Sequence, residues 1–164
     1  MTDTLWPTQN DLGEAVRTRA VALLNQQLAD ALDLALQAKQ AHWNVKGPSF
    51  IALHELFDEL VGAILEHADD LAERAVALGG TAFGTARTAA RASRLSEYPL
   101  AIESGREHVT ALSAALAAFG ASARAGIDAA TALPDADTAD LFTEISRGVD
   151  KLLWKVEAHG QSKD

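Results

Sequence analysis

Two imidazoles and three carboxylates fall between residues 42 and 73 at spacings that suit metal binding. His54 and Asp58 are four residues apart, and Asp69 and Glu73 repeat that interval, so on a helix each pair projects from one face. His42 follows Leu28, Leu32, Ala35 and Ala38 at helical steps, on the continuation of an apolar stripe. Nitrogen donors mixed with carboxylates make a ligand set suited to iron and also able to hold zinc or manganese. Carboxylates at this interval on a surface helix also serve as a plain solvated face. Against that reading, His54 and Asp58 adjoin core-type Leu53 and Phe57, and Asp69 and Glu73 repel each other unless a cation lies between them.

Asp58 and Asp69 are eleven residues apart, about 16 Å of rise along a straight helix, too far for one ion to bridge. An antiparallel pairing of two copies of this helix, about a two-fold axis near Ala63 and Ile64, removes the difficulty. Asp58 then faces Asp69 of the mate, His54 faces Glu73, and Gly62 permits close approach. Such an interface carries two equivalent sites, each built half from one chain and half from the other. Two other metal motifs fail. His54-Glu55-Leu56-Phe57-Asp58 lacks the second His of a zinc protease, and no His has Glu three residues before it, as a di-iron site inside a bundle would require.

The elements that must position these residues are helical. Val16, Ala20, Leu24, Leu28, Leu32 and Ala35 predict a first helix running to Trp43, broken by Asn44, Gly47 and Pro48. Ser49 is the expected N-cap of a second helix through Phe57, Ile64, Leu71 and Ala75, ended by Gly79-Gly80. Residues 81–97 form a connection with room for one short helix. Pro99 is expected in the first turn of a third long helix ending near Gly126, where a break runs to Pro134. Asp137 or Thr138 then caps a fourth, carrying Leu141, Ile145, Val149, Leu152 and Val156. The expectation is an all-α, ferritin-like four-helix bundle with a short helix between helices 2 and 3. It is a single domain over 1–164, with tails at 1–10 and 160–164.

Composition narrows the chemistry further. With no Cys, disulfide frameworks, thiolate zinc sites and cysteine nucleophiles are excluded. A net charge of −9 attracts cations and repels nucleic acid and anionic membrane. The first residues lack a basic and apolar leader, and the weakly polar run Ala111–Ala123 is too short to span a bilayer, so a cytoplasmic protein is expected.

Ala41-His42-Trp43-Asn44-Val45-Lys46-Gly47-Pro48-Ser49-Phe50, then Leu53-His54-Glu55 and Asp58, resembles the signature of the Dps family. Asp69, Leu71-Ala72-Glu73-Arg74-Ala75 and Leu78-Gly79-Gly80 continue the resemblance, which covers nearly the whole chain. It implies a miniferritin, a hollow dodecamer that oxidises Fe(II), preferably with hydrogen peroxide, and stores the ferric mineral, protecting against oxidative damage. It implies a ferroxidase site of two irons at a dimer interface, formed by His42, His54 and Asp58 of one subunit with Asp69 and Glu73 of the other. Trp43 matches a family tryptophan near the iron that intercepts stray oxidising equivalents, although packing at a helix end would equally explain it. Asp135, Asp137 and Asp140 resemble the acidic entrance of the family's three-fold pores, or else cap a helix and offset its dipole. Glu55 and Glu59 would aid mineral nucleation if they face the cavity, while His67, His108 and His159 read as ordinary surface or packing residues.

The resemblance stops at DNA. Family members that compact DNA carry a Lys-rich N-terminal tail, whereas here no Lys or Arg precedes Arg17, and the C-terminal tail offers only Lys163. Tight DNA binding is therefore not expected, with Arg87, Arg91 and Arg94 the best remaining basic cluster. Two other readings stand beside the ferroxidase: a non-specific DNA-binding nucleoid protein with incidental iron binding, and a plain helical bundle with no metal.

Overall fold

The computed structural model describes residues 5–161, so Asp3 and Lys163 of the tails fall outside the described residues. Five helices follow in order: α1 Glu14–Asn44, α2 Phe50–Ala77, α3 Ala86–Ala92, α4 Gly105–Ala132 and α5 Ala136–Glu157. The four long ones form the bundle, with α1 packed on α2 and α4, and α5 on α4 and α2. The short α3 lies in the α2–α4 connection against α1.

Helical periodicity explains the packing. On α2 the buried residues Leu53, Phe57, Leu60, Ile64, Ala68, Leu71 and Ala75 step by three or four, as do Phe142, Ile145, Val149, Leu152 and Val156 on α5. Alanines at 20, 31, 35, 38 and 41 on α1 are buried and let its neighbours approach closely. The glycine stop of α2 is a Schellman closure: Gly79 N–H donates to Val76 O at 2.8 Å and Gly80 N–H to Ala75 O at 2.9 Å, with Gly79 at φ +86°. Trp6 N–H then donates to Gly79 O at 2.7 Å, and a Cβ on Gly79 would stand 2.5 Å from Trp6 O. Residues 5–13 are thereby held against the end of α2, where Arg17 bonds to the carbonyls of both Leu12 and Leu78.

Three boundaries differ from the sequence expectation. Helix α4 begins at Gly105, after Pro99, because Ser104 and Glu107 close a capping box there. No break follows Gly126: α4 runs on to Ala132, and Gly126 is a close contact, since a Cβ there would meet the Phe142 ring at 2.8 Å. Helix α5 is capped by Asp135 rather than Asp137 or Thr138. At 28 residues α4 is long and apolar enough to cross a membrane. In this fold, however, its Leu112, Leu116, Phe119 and Ala123 are buried in the bundle.

Candidate metal centre

The α1–α2 corner stacks two of the candidate ligands, His42 and His54, and sets Asp58 alongside His42. Val45 is buried at the turn, and Lys46 N–H donates to Glu103 O at 3.1 Å, which ties the corner to the start of α4. His42, in the last turn of α1, then stacks on His54 of α2, with ring centroids 3.7 Å apart and planes 21° apart. His42 Nδ1 lies 2.7 Å from His54 O, and His54 Nδ1 lies 2.8 Å from His42 O. A carbonyl oxygen only accepts, so both Nδ1 atoms carry the proton. In the neutral rings both Nε2 atoms then keep a lone pair, the form a metal requires.

Asp58 lies beside them, its Oδ1 4.0 Å from His42 Nδ1. Lys39 of α1 makes an ion pair with the same carboxylate. The hydrogen bond from Lys39 holds the Asp58 carboxyl below the usual carboxylate range, and the Lys39 charge acts in the same sense. Lys39 was not singled out from the sequence, although it precedes His42 by one helical step.

Asp69 and Glu73 are exposed further along α2 and stay apart from this group. Among the described residues of one chain, no three His, Asp or Glu side chains converge as a metal cage. Between the two halves the same exposed edge of α2 presents Gly62 and Leu65. Beside it, Leu32, Leu36, Lys39, Val61, Leu65 and Ala89 line an apolar groove of about 380 Å³ between α1, α2 and α3. Leu36 is 60% exposed and Leu65 46%, an apolar face left uncovered within the chain. Trp43, next to His42, is 66% exposed, so packing within the chain does not account for it.

The other acidic residues separate. Asp135 is 1% exposed: it caps α5 by accepting from Thr138 N and Thr138 Oγ1 at 3.1 and 2.6 Å, and it pairs with Arg74 at 2.7 Å. Its carboxylate is committed inside the chain, whereas Asp137 and Asp140 are exposed. Glu55 and Glu59 are exposed on α2, Glu59 in an ion pair with Lys155. The basic cluster is depleted too, because Arg94 Nε donates to the buried Asp30 at 3.0 Å, leaving Arg87 and Arg91 exposed. Sequence reasoning treated His108 as ordinary; it is a buried packing residue bonded to Tyr98.

Comparison with known proteins agrees with this fold. The family described as the ferritin-like domain matches residues 21–162. A DNA protection during starvation protein of Agrobacterium fabrum is 43% identical over 95% of this chain and 96% of its own length. Among solved structures, DpsA14 of Streptomyces coelicolor superposes with a TM-score of 0.90 at 33% identity, covering 97% of this chain and 95% of that one. The Dps of Microbacterium arborescens in its high-iron form gives 0.85 at 32% identity, covering 94% and 99%.

Proposed function

Since this chain belongs to the Dps family of ferritin-like proteins, we propose that it is a miniferritin ferroxidase, oxidising Fe(II) with hydrogen peroxide at sites shared between two subunits. The observation that carries the reading is the reciprocal His42–His54 lock, which engages both Nδ1 atoms and leaves both Nε2 lone pairs for a metal, with Asp58 4.0 Å from His42. A plain bundle has no need to fix two stacked imidazoles in one tautomer at its surface.

The second half of each site comes from the partner's copy of α2. A two-fold axis between Ala63 and Ile64 sets Asp69 and Glu73 of one subunit against Asp58 and His54 of the other. The uncovered apolar groove, with Leu36 and Leu65 at its surface, supports burial of this face by a second copy. Twelve subunits close the hollow shell that stores the ferric product.

Within the site, Asp58, Asp69 and Glu73 offset the charge of the incoming ions, and the two imidazoles add neutral donors. Lys39 is the counter-ion of Asp58 until a metal ion displaces it. Hydrogen peroxide takes two electrons, one from each of two Fe(II) ions, so no hydroxyl radical is released when both ions are in place. Asp140 and Asp137 are the exposed acids that draw Fe(II) inward, Asp137 while its Oδ2 lies 3.6 Å from Arg74, and Trp43 presents an exposed ring beside the site. Protection from oxidation in the cytoplasm then follows without contact with DNA, for which the net charge of −9 and the commitment of Arg94 leave little electrostatic basis.

The test mixes anaerobic protein with Fe(II), adds hydrogen peroxide and follows ferric absorbance. Fast oxidation in the wild type that collapses in His54→Ala/Asp58→Ala is expected. Traces that coincide with the protein-free control would sink the reading, and a DNA complex retained at moderate salt would favour the nucleoid alternative.

A further inference from the structure

One layer behind the candidate metal centre lies a second pair of polar rings, which the proposed iron chemistry does not use. Tyr98, 8% exposed, places its hydroxyl 2.6 Å from Nδ1 of His108, which is 1% exposed. The His108 ring also faces Phe57, centroids 6.5 Å apart, and Phe57 is the residue that precedes Asp58 on α2. Burying a phenol and an imidazole together costs desolvation that an apolar pair would avoid, so the pair calls for an explanation.

Protonation states follow from the surroundings. Burial pushes the Tyr98 phenol well above its ordinary range and the His108 imidazolium below its own, so near neutrality the phenol is protonated and the ring is neutral. His108 Nε2 is buried and makes no regular hydrogen bond, although the Asn44 main chain favours the protonated ring. With the ring proton on Nε2, Nδ1 is the acceptor and the Tyr98 hydroxyl donates to it. A phenol that loses an electron becomes a strong acid, and here a base stands in place to take its proton.

We propose that Tyr98 and His108 form a proton-coupled redox pair that absorbs single oxidising equivalents escaping from the metal centre. The inference rests on the reading that this chain oxidises Fe(II) with hydrogen peroxide. When only one Fe(II) meets peroxide, the products are Fe(III), hydroxide and a hydroxyl radical. Tyr98 gives one electron to that radical, which becomes hydroxide; the Tyr98 O–H bond breaks and its proton passes to His108 Nδ1. A second Fe(II) then returns an electron to the phenoxyl, and the proton returns from His108. The sum is two Fe(II) oxidised by one peroxide, the same balance as the paired reaction.

Tyr98 is the only tyrosine in the chain, so any tyrosyl radical reports this site. Freeze-quenched electron paramagnetic resonance on the Fe(II)-loaded oligomer after peroxide, with ferric absorbance followed in parallel, reads the two claims separately. A tyrosyl signal is expected in the wild type, absent in Tyr98→Phe and severalfold weaker in His108→Gln, with the rate of iron oxidation unchanged. Hydroxyl adducts of a spin trap should rise severalfold in Tyr98→Phe, which keeps the ring and its packing. Iron oxidation without a tyrosyl signal, or an undiminished signal in His108→Gln, overturns the pair. If no ferric absorbance develops, the ferroxidase reading falls instead. The pair is then judged with azide radical from pulse radiolysis: Tyr98 oxidation slowed severalfold in His108→Gln upholds it, and equal rates overturn it.

Discussion

His42 and His54 hold each other's ring through the main chain, Nδ1 of each lying within 2.8 Å of the other's carbonyl oxygen. Removing one side chain leaves that carbonyl in place, so the surviving imidazole keeps its tautomer and loses only the stacked neighbour. His42→Ala should weaken zinc binding, measured by equilibrium dialysis, by something on the order of 10–100-fold. The ring nitrogen spectra of 15N-histidine protein should still show a protonated Nδ1 at His54. A His54 ring that changes tautomer in His42→Ala would mean that stacking, and not the backbone carbonyl, sets the proton.

Gly62 is the most direct probe of the two-fold pairing. Within the chain a Cβ there meets nothing within 4 Å. In the antiparallel pairing Gly62 of one subunit comes opposite Leu65 of the other, whose side chain then occupies the space the missing Cβ leaves. Gly62→Leu should preserve helix content, or raise it slightly by propensity, while reducing assembly in sedimentation and ferric absorbance after peroxide. An oligomer that assembles unchanged in Gly62→Leu would place the interface elsewhere.

The fold was largely legible because its signals are local and periodic. The α2 core at Phe57, Ile64 and Leu71, and its stop at Gly79-Gly80, are written in one stretch of chain. What failed was the reading of isolated punctuation. Pro99 looked like a helix start, but the Ser104–Glu107 capping box satisfies the free N–H groups five residues later. The placing of His42, His54 and Asp58 at one corner was legible through spacing, and capping was one of two roles read for Asp135. The ion pairing of Asp135 and Arg94 was not legible. Each is claimed by a partner more than sixty residues away, Arg74 in one case and Asp30 in the other, and no local pattern encodes such a pairing. The Tyr98–His108 bond spans ten residues across a loop, out of register with any helical step.

Gly126 shows why a glycine inside a helix was misread as a break. An added Cβ would stand 2.8–3.0 Å from three atoms of the buried Phe142 ring. Helix propensity alone favours Ala by about 1 kcal/mol, but overpacking against a buried ring costs about 1–3 kcal/mol. Gly126→Ala should therefore destabilise the subunit in urea, and Gly126→Ala/Phe142→Leu should recover part of the loss. A stabilised single variant would show that α4 and α5 can move apart at this point without cost.

Two histidines give the stability of the metal-free protein a pH dependence. Burial lowers His67 and His108 below the ordinary histidine value of 6.5; at His67 the nearby Asp70, Glu144 and Glu66 oppose the shift without cancelling it. Below that value the unfolded chain takes up protons that the folded chain refuses, so the unfolded state binds more protons and stability falls as pH falls. The urea midpoint, measured at fixed protein concentration, should drop between about pH 7 and pH 5.5, before most carboxylates titrate. His67→Gln and His108→Gln should each flatten that slope, whatever they do to the midpoint near neutrality. A slope that survives in the double variant would assign the dependence to other groups.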